Sequence, residues 1–248
     1  MNIQFNFKDQ NVVVTGGARG IGLQITRQFL EAGANVAVWD YSEETLNTAK
    51  AELASFQGRV HFQQADVAKY ASCEAAVNAL PWSVDIVINN AGITRDKSLV
   101  KMAPEEWQSV IDTNLTGVFN VTKASLPKFN PNSTNKRIIN IASVVALYGN
   151  FGQTNYVAAK AGVIGMTKTW SRELTSKGFT VNAVAPGFTL TPMVEAMPAE
   201  ARKLIEDKIP AKRFGKTSDI ANACLFLATQ EAGYISGATL SVDGALVC

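Results

Sequence analysis

Short apolar, β-branched runs alternate with longer stretches of helical period along the whole chain. Residues 11–15 (NVVVT), 35–39 (NVAVW), 60–64, 84–88, 137–141, 180–183 and 239–242 read as strands. Between the first two lies a helical stretch, 21–32, closed by Gly33. A second helix runs from Ser42 to about residue 56; Ser42 has N-cap chemistry, and Glu43 and Glu44 sit where a helix macrodipole favours acids. Further helices are expected near 72–80, 104–126, 155–176 and 218–228.

Strands alternating with helices at this spacing predict an α/β fold: a Rossmann-like, doubly wound parallel sheet of about seven strands with helices on both faces. No internal repeat or low-complexity linker divides the chain, so residues 1–248 are read as a single domain. Residues 127–136 read as a solvated loop. Residues 186–210 carry four prolines and only fragments of helical pattern, and a substrate lid is expected around 188–210.

Composition narrows the chemistry. Hydrophobic residues make up 47% and charged residues 18% of the 248 positions, which excludes disorder and hints at outer surface buried between subunits. The net charge of +2 makes no electrostatic case for nucleic acid or a membrane surface. A lone histidine, His61, cannot build a His-based triad or a His-rich metal site, so no metal is expected. Cys73, Cys224 and Cys248 are far apart and odd in number, giving neither a zinc spacing nor a disulfide framework. With no signal-peptide pattern and no apolar run of transmembrane length, a soluble cytoplasmic protein is expected.

Two features carry chemistry. The first is Thr15-Gly-Gly-Ala-Arg-Gly-Ile-Gly22, between a predicted strand and a predicted helix. A dinucleotide pyrophosphate needs that context: glycines for close backbone approach, and a helix N-terminus with oriented N–H groups. Gly16, Arg19, Gly20, Ile21 and Gly22 are therefore read as cofactor-binding. Asp40 ends the second strand, where an acidic side chain accepts the adenosine ribose hydroxyls. A 2′-phosphate there would meet like charge, costing roughly 4 kcal/mol per charge pair at 4 Å and an effective dielectric of 20. Asp40 thus argues for NAD(H), leaving NADP(H) as the second choice.

The second feature is Tyr156-Val-Ala-Ala-Lys160. Residues four apart share a helix face, and a lysine ammonium beside a phenol is expected to lower the tyrosine pKa from about 10. Alone, a Tyr-x3-Lys pair is most often a solvated helix face. Here it follows Asp66-Val67, Asn89-Asn-Ala-Gly92, Asn114 and Ser143 and precedes Pro186-Gly187, all in one order.

That ordered set resembles the short-chain dehydrogenase/reductase family over roughly residues 9 to 244. Within it, Gly92-Ile-Thr-Arg-Asp96, Gly149-Asn-Phe-Gly-Gln153 and Val184-Ala-Pro-Gly-Phe188 are most similar to 3-oxoacyl-[acyl-carrier-protein] reductases. The resemblance implies that Tyr156 is the general acid, Ser143 polarises the carbonyl oxygen, and Lys160 binds the nicotinamide ribose. It gives Asn114 a water in a proton relay. It places Asp66 and Val67 at adenine, Asn90 at the adenosine ribose, and Thr189 and Thr191 near the carboxamide. It implies a reductase of 3-oxoacyl thioesters on acyl carrier protein or CoA, assembled as a homotetramer; the NADH preference comes from Asp40 and not from the resemblance. The small residues Ala158, Ala159, Ala161, Gly162 and Gly165 would serve that pairing.

Three departures stand out. Most such reductases use NADPH and lack an acid at the position of Asp40, while Arg19 is the family's phosphate-friendly arginine. Of two basic carrier-docking positions, one reads Thr134 and the other keeps charge as Lys177. The usual Asp-Gly-Gly near the C-terminus reads Asp243-Gly-Ala245. These leave two rival functions open: an NAD(H)-dependent secondary-alcohol dehydrogenase or ketone reductase, and a catalytically inactive cofactor-binding sensor. Lys136-Arg137 reads as a solvated charge pair, His61 as structural, and the four tryptophans as packing residues.

Overall fold

A computed structural model describes residues 4–191, Val194 and residues 198–247. Strands β1 (Asn11–Thr15), β2 (Asn35–Asp40), β3 (Val60–Gln64), β4 (Ile86–Asn89), β5 (Lys136–Ile141), β6 (Phe179–Pro186) and β7 (Thr239–Val242) form one sheet. Its order is β3-β2-β1-β4-β5-β6-β7, and every pairing is parallel. The order reverses between β1 and β4, the switch point where open α/β sheets bind ligands.

Alternation along β1 explains the two layers. Val12 and Val14 pack with Phe29 and Leu30 of α1 (Gly20–Glu31) and with Ile220 and Leu225 of a C-terminal helix. Val13 points the other way, into a cluster with Trp39, Cys73 and Val121. Burial on both faces makes the central strands continuous Val/Ile runs, each large side chain contributing about 1.5–3 kcal/mol. β6 extends beyond the expected 180–183 and buries Asn182, which is satisfied within the sheet layer. Its amide donates to Ile235 O at 2.7 Å, and its Oδ1 accepts from Ala238 N at 3.0 Å.

The remaining helices are α2 (Glu43–Glu52), α3 (Tyr70–Asn78), α4 (Pro104–Ile111), α5 (Gly117–Ser125), α6 (Val145–Tyr148), α7 (Thr154–Leu174), α8 (Ala199–Lys208) and α9 (Thr217–Ala228). Ser42 caps α2, accepting from Thr45 N at 3.2 Å. The single helix expected over 104–126 is instead broken by a π-helical turn at Asp112–Thr116. Gly117 follows that turn and lies against Val67, where a Cβ would come within 2.8 Å of Val67 Cγ2.

Two other expectations change. Arg137 is not solvated; it is 3% exposed. Its Nε and Nη2 donate to Thr229 O at 3.3 and 3.1 Å, and its Nη1 to Lys136 O at 3.1 Å. Thr229 is the C-cap of α9, so the negative end of a helix receives the cation, while burial holds its pKa below the usual arginine value. The loop 127–136 is solvated only in its middle. Phe129 meets Phe179 edge-on at 4.8 Å, and buried Asn135 donates to Ala228 O at 3.0 Å.

Of the expected lid, residues 192–193 and 195–197 lie outside the described residues, as does Cys248. The described part is tied down: Thr189 pairs with Gly215, and Leu190 N donates to Gly215 O at 2.8 Å. Among the described residues no helix is long and apolar enough to cross a membrane, and no cluster of His, Cys, Asp and Glu could hold a metal ion.

Candidate active site

The site grows from the ends of β1 and β4. Thr15 Oγ1 accepts from Asn90 N at 3.0 Å and Ala91 N at 3.1 Å. Asn90 Nδ2 donates back to Thr15 O and Gly16 O at 3.0 and 3.1 Å. This stitching leaves the Gly-rich turn open above the sheet edge. Gly16 has φ +59, and a Cβ on Gly22 would lie 2.0 Å from Gly16 O, so neither position accepts a side chain. Arg19 is the N-cap of α1, and no acidic side chain occupies the first turn, so the positive end of the helix dipole is uncompensated.

One half of the groove is a cavity of about 650 Å³ lined by Gly16, Arg19, Gly20, Ile21, Gly22, Asp40, Asp66, Val67, Asn90 and Thr191. Asp40 is buried; Oδ1 accepts from Ser42 N at 3.2 Å, and Oδ2 has no partner among the described residues. A buried carboxylate oxygen without a donor is costly, and a ribose hydroxyl is the kind of group that relieves it. Asp66 tethers its own loop through Ala68 N at 3.1 Å and Lys69 at 3.3 Å. Val67 O accepts from Asn120 Nδ2 at 2.9 Å. The glycine cradle, the open helix end and the orphaned Asp40 oxygen fit a nicotinamide dinucleotide.

The other half is a cavity of about 580 Å³ lined by Ser143, Tyr156, Lys160, Thr189 and Thr191. Arg19, Ile21, Asn90 and Gly92 line both halves, so the two form one groove. Ser143 shares a side-chain hydrogen bond with Tyr156. Lys160 is 3% exposed, and its Nζ donates to Ile141 O at 2.7 Å and stands 5.7 Å from the Tyr156 ring centroid. Burial lowers the Lys160 pKa from 10.5 to about 8.

The Tyr156 pKa moves opposite to the expectation. Burial pushes it up to about 12, helped by the charge of Asp96 and opposed by the Ser143 hydrogen bond. Desolvation of the phenolate therefore sets the sign, and Lys160 is itself destabilised as a cation by its own burial.

Asn114 is fully buried in the π turn. Its Oδ1 accepts from Ile93 N at 2.8 Å and its Nδ2 donates to Ile93 O at 2.9 Å. The side chain is thus spent on holding the Ile93 loop. Thr189, also buried, donates to Gly187 O at 3.1 Å. The Tyr156 cavity is further walled by Thr94, Arg95, Tyr148, Gln153 and Phe188. The sequence marks these only as loop positions, since nothing in their spacing says which loops meet.

A family model described as enoyl-(acyl carrier protein) reductase matches residues 16–246. The chain is 44% identical over 238 residues to a Thermotoga maritima protein named 3-oxoacyl-[acyl-carrier-protein] reductase FabG, covering 95% of this chain and 96% of that one. A protein of the same name from Chlamydia muridarum is 44% identical over 239 residues, covering 94% and 96%. A Brucella melitensis crystal structure titled short-chain dehydrogenase/reductase SDR:Glucose/ribitol dehydrogenase superposes with a TM-score of 0.91 at 31% identity, covering 99% of this chain and 100% of that one.

The chain belongs to the short-chain dehydrogenase/reductase family. It is an NAD(P)-dependent oxidoreductase acting on a CH–OH group. β1 leads into the Gly-rich turn at the start of α1, and the long helix α7 carries the Tyr-x3-Lys pair.

Proposed function

We propose that the protein is an NADH-preferring reductase of 3-oxoacyl thioesters, running in reverse as a 3-hydroxyacyl dehydrogenase. The observation that carries this reading is one groove with Ser143, Tyr156 and Lys160 at one end and buried Asp40 at the other. The identity to proteins named 3-oxoacyl-[acyl-carrier-protein] reductases supports the substrate class.

A reduced nicotinamide, when bound, supplies the hydride. Gly16, Gly20, Ile21 and Gly22 would receive its pyrophosphate, Asp40 the adenosine ribose, and Asp66, Val67 and Asn90 the adenosine. Thr189 and Thr191 would hold the carboxamide end. Ser143 donates to the substrate carbonyl oxygen, and Tyr156 delivers its proton to the same atom. With its pKa pushed up to about 12 by burial, Tyr156 is protonated at neutral pH, the form that a proton donor needs. Lys160 binds the nicotinamide ribose and restores the tyrosine's proton. We assign the Asn114 side chain to fixing the Ile93 loop beside Lys160, because both of its polar atoms are bonded there.

The thioester arrives on CoA or on acyl carrier protein. Thr134 and Lys177 are both exposed, so the carrier-docking face keeps only half of the family's charge pair. Exposed Trp107 and Phe119 on α4 and α5 support pairing of copies into a homotetramer. Buried, unpaired Cys73 and Cys224 support a reducing, cytoplasmic setting.

Steady-state assays with acetoacetyl-CoA, acetoacetyl-carrier-protein and a panel of simple ketones test the substrate. Highest kcat/KM on a thioester is expected. Turnover confined to simple ketones overturns the substrate class and leaves the ketone reductase; no turnover of any carbonyl leaves the inactive sensor.

A further inference from the structure

Asn155, next to Tyr156, is fully buried and uses all three of its strongest hydrogen-bonding positions. Its Nδ2 donates to Arg95 O at 3.0 Å and to Glu106 O at 3.1 Å. Its Oδ1 accepts from Tyr156 N at 2.8 Å. The first N–H groups of a helix lack intrahelical acceptors, and Gln153, the N-cap of α7, makes no side-chain cap bond. Asn155 supplies the missing acceptor from inside the helix, at the catalytic residue itself.

We infer that Asn155 is a positioning residue for Tyr156, fastening the first turn of α7 to the Arg95 loop and to α4. The inference rests on the catalytic role proposed for Tyr156. Each anchor bears on the phenol. The Arg95 loop walls the cavity into which Tyr156 points, and Asp96 on that loop faces the phenol electrostatically. α4 packs along α7. A residue with two amide donors and an acceptor on one planar head is required. Aspartate has the shape but would face two carbonyl oxygens with charge; leucine would take a donor from Arg95 O and the acceptor from Tyr156 N, leaving Glu106 O only its Ser109 Oγ donor at 3.2 Å among the side chains.

The Arg95 loop does not depend on Asn155 alone. Lys97 N donates to Gly152 O at 2.8 Å, and Gln153 Nε2 donates to Asp96 Oδ2 at 2.9 Å. Removing the Asn155 side chain therefore leaves the loop docked while freeing the turn that carries Tyr156. A displacement of order 1 Å at a reacting group costs about a hundredfold in rate.

The test is a double-mutant cycle of Asn155→Ala and Tyr156→Phe, reading kcat on acetoacetyl-CoA and the Kd for NADH by fluorescence. Asn155→Ala alone is expected to lower kcat about 30- to 100-fold with the NADH Kd within about twofold. In the Tyr156→Phe background it is expected to lower the residual kcat by no more than about twofold, because the group it positions is gone. A kcat loss under about threefold in the single variant, or an equal loss in both backgrounds, overturns the inference. If Asn155→Ala does not fold, Asn155→Ser is judged by the same criteria, and failure of both to fold shows a purely structural residue. If the wild type turns over ketones but no thioester, the substrate proposal falls and the cycle is read on the best ketone by the same thresholds. A wild type without any carbonyl turnover overturns both.

Discussion

Lys160 Nζ donates to the main-chain carbonyl of Ile141 at 2.7 Å, two residues before Ser143. One hydrogen bond thus joins the helix that carries Tyr156 to the end of β5. The buried layer beneath repeats the link: Asn140 Nδ2 donates to Thr167 Oγ1 at 2.9 Å, and Asn89 Nδ2 to Asn140 Oδ1 at 2.8 Å. Proton chemistry and scaffold meet at these two rungs, and they set what Lys160 costs the fold.

That cost has a pH signature. The folded-state pKa of Lys160 is depressed from 10.5 to about 8 by burial. Below pH 8 both folded and unfolded chains hold the proton, and the native state bears the desolvation of a buried cation. Between about pH 8 and 10.5 only the unfolded chain remains protonated, so this group makes the wild type more stable as pH rises. Lys160→Met removes that cost together with the donor to Ile141 O, so the stability of the inactive variant relative to wild type should be about 2 kcal/mol more favourable at pH 7 than at pH 9.5. Denaturant unfolding of both proteins at the two pH values reads this difference. A relative stability that is the same at both would show that Lys160 is not desolvated in the native state.

Asp40 should decide the cofactor. On the proposed reading its orphaned Oδ2 would accept a ribose hydroxyl and repel a 2′-phosphate. Asp40→Ser removes the repulsion while Arg19 remains available to the phosphate. The NADPH-to-NADH ratio of kcat/KM should rise about a hundredfold, since each 1.4 kcal/mol is tenfold. An unchanged ratio would mean that the carboxylate does not face the adenosine ribose.

Arg137 should matter for stability alone. Its fork serves Thr229 O twice and Lys136 O once. Arg137→Lys keeps the charge but not the fork, leaving a buried carbonyl short of a donor. A loss of about 2 kcal/mol is expected, or about 4–8 °C in Tm, with the NADH Kd unchanged. A Tm within a degree of wild type would refute the assignment.

Ala245 has φ +66, a left-handed conformation that glycine adopts freely and alanine does not. Ala245→Gly should stabilise by about 1 kcal/mol, raising Tm by about 2–4 °C. A fall in Tm would mean that the Ala245 methyl contributes packing worth more than the strain.

Much of this architecture is legible in the sequence. The strands at Val60–Gln64 and Thr239–Val242 have the bounds expected from the sequence, and the Gly-rich turn and Tyr156-x3-Lys160 announce both halves of the groove. What is not legible depends on which segments meet. Arg137 looks solvated because the α9 carbonyls that satisfy it are 92 residues away. The π turn at Asn114 needs the Ile93 backbone, 21 residues off, to draw the side chain in. Spacing puts Lys160 beside Tyr156 and so predicts a lowered tyrosine pKa. Burial of both groups, a property of the packed fold, reverses the sign. Asn155 sits in plain view beside Tyr156, but its role appears only when Arg95 and Glu106 arrive from elsewhere in the chain.

The central claim is hydride delivery from NADH to a 3-oxoacyl thioester in the groove between Asp40 and Tyr156. The most direct measurement is kcat/KM of the wild-type protein on acetoacetyl-CoA with NADH and with NADPH, side by side under the same buffer and salt. A kcat/KM at least about tenfold higher with NADH is predicted, the ratio that a little over 1 kcal/mol of repulsion at Asp40 produces. A higher value with NADPH would contradict it.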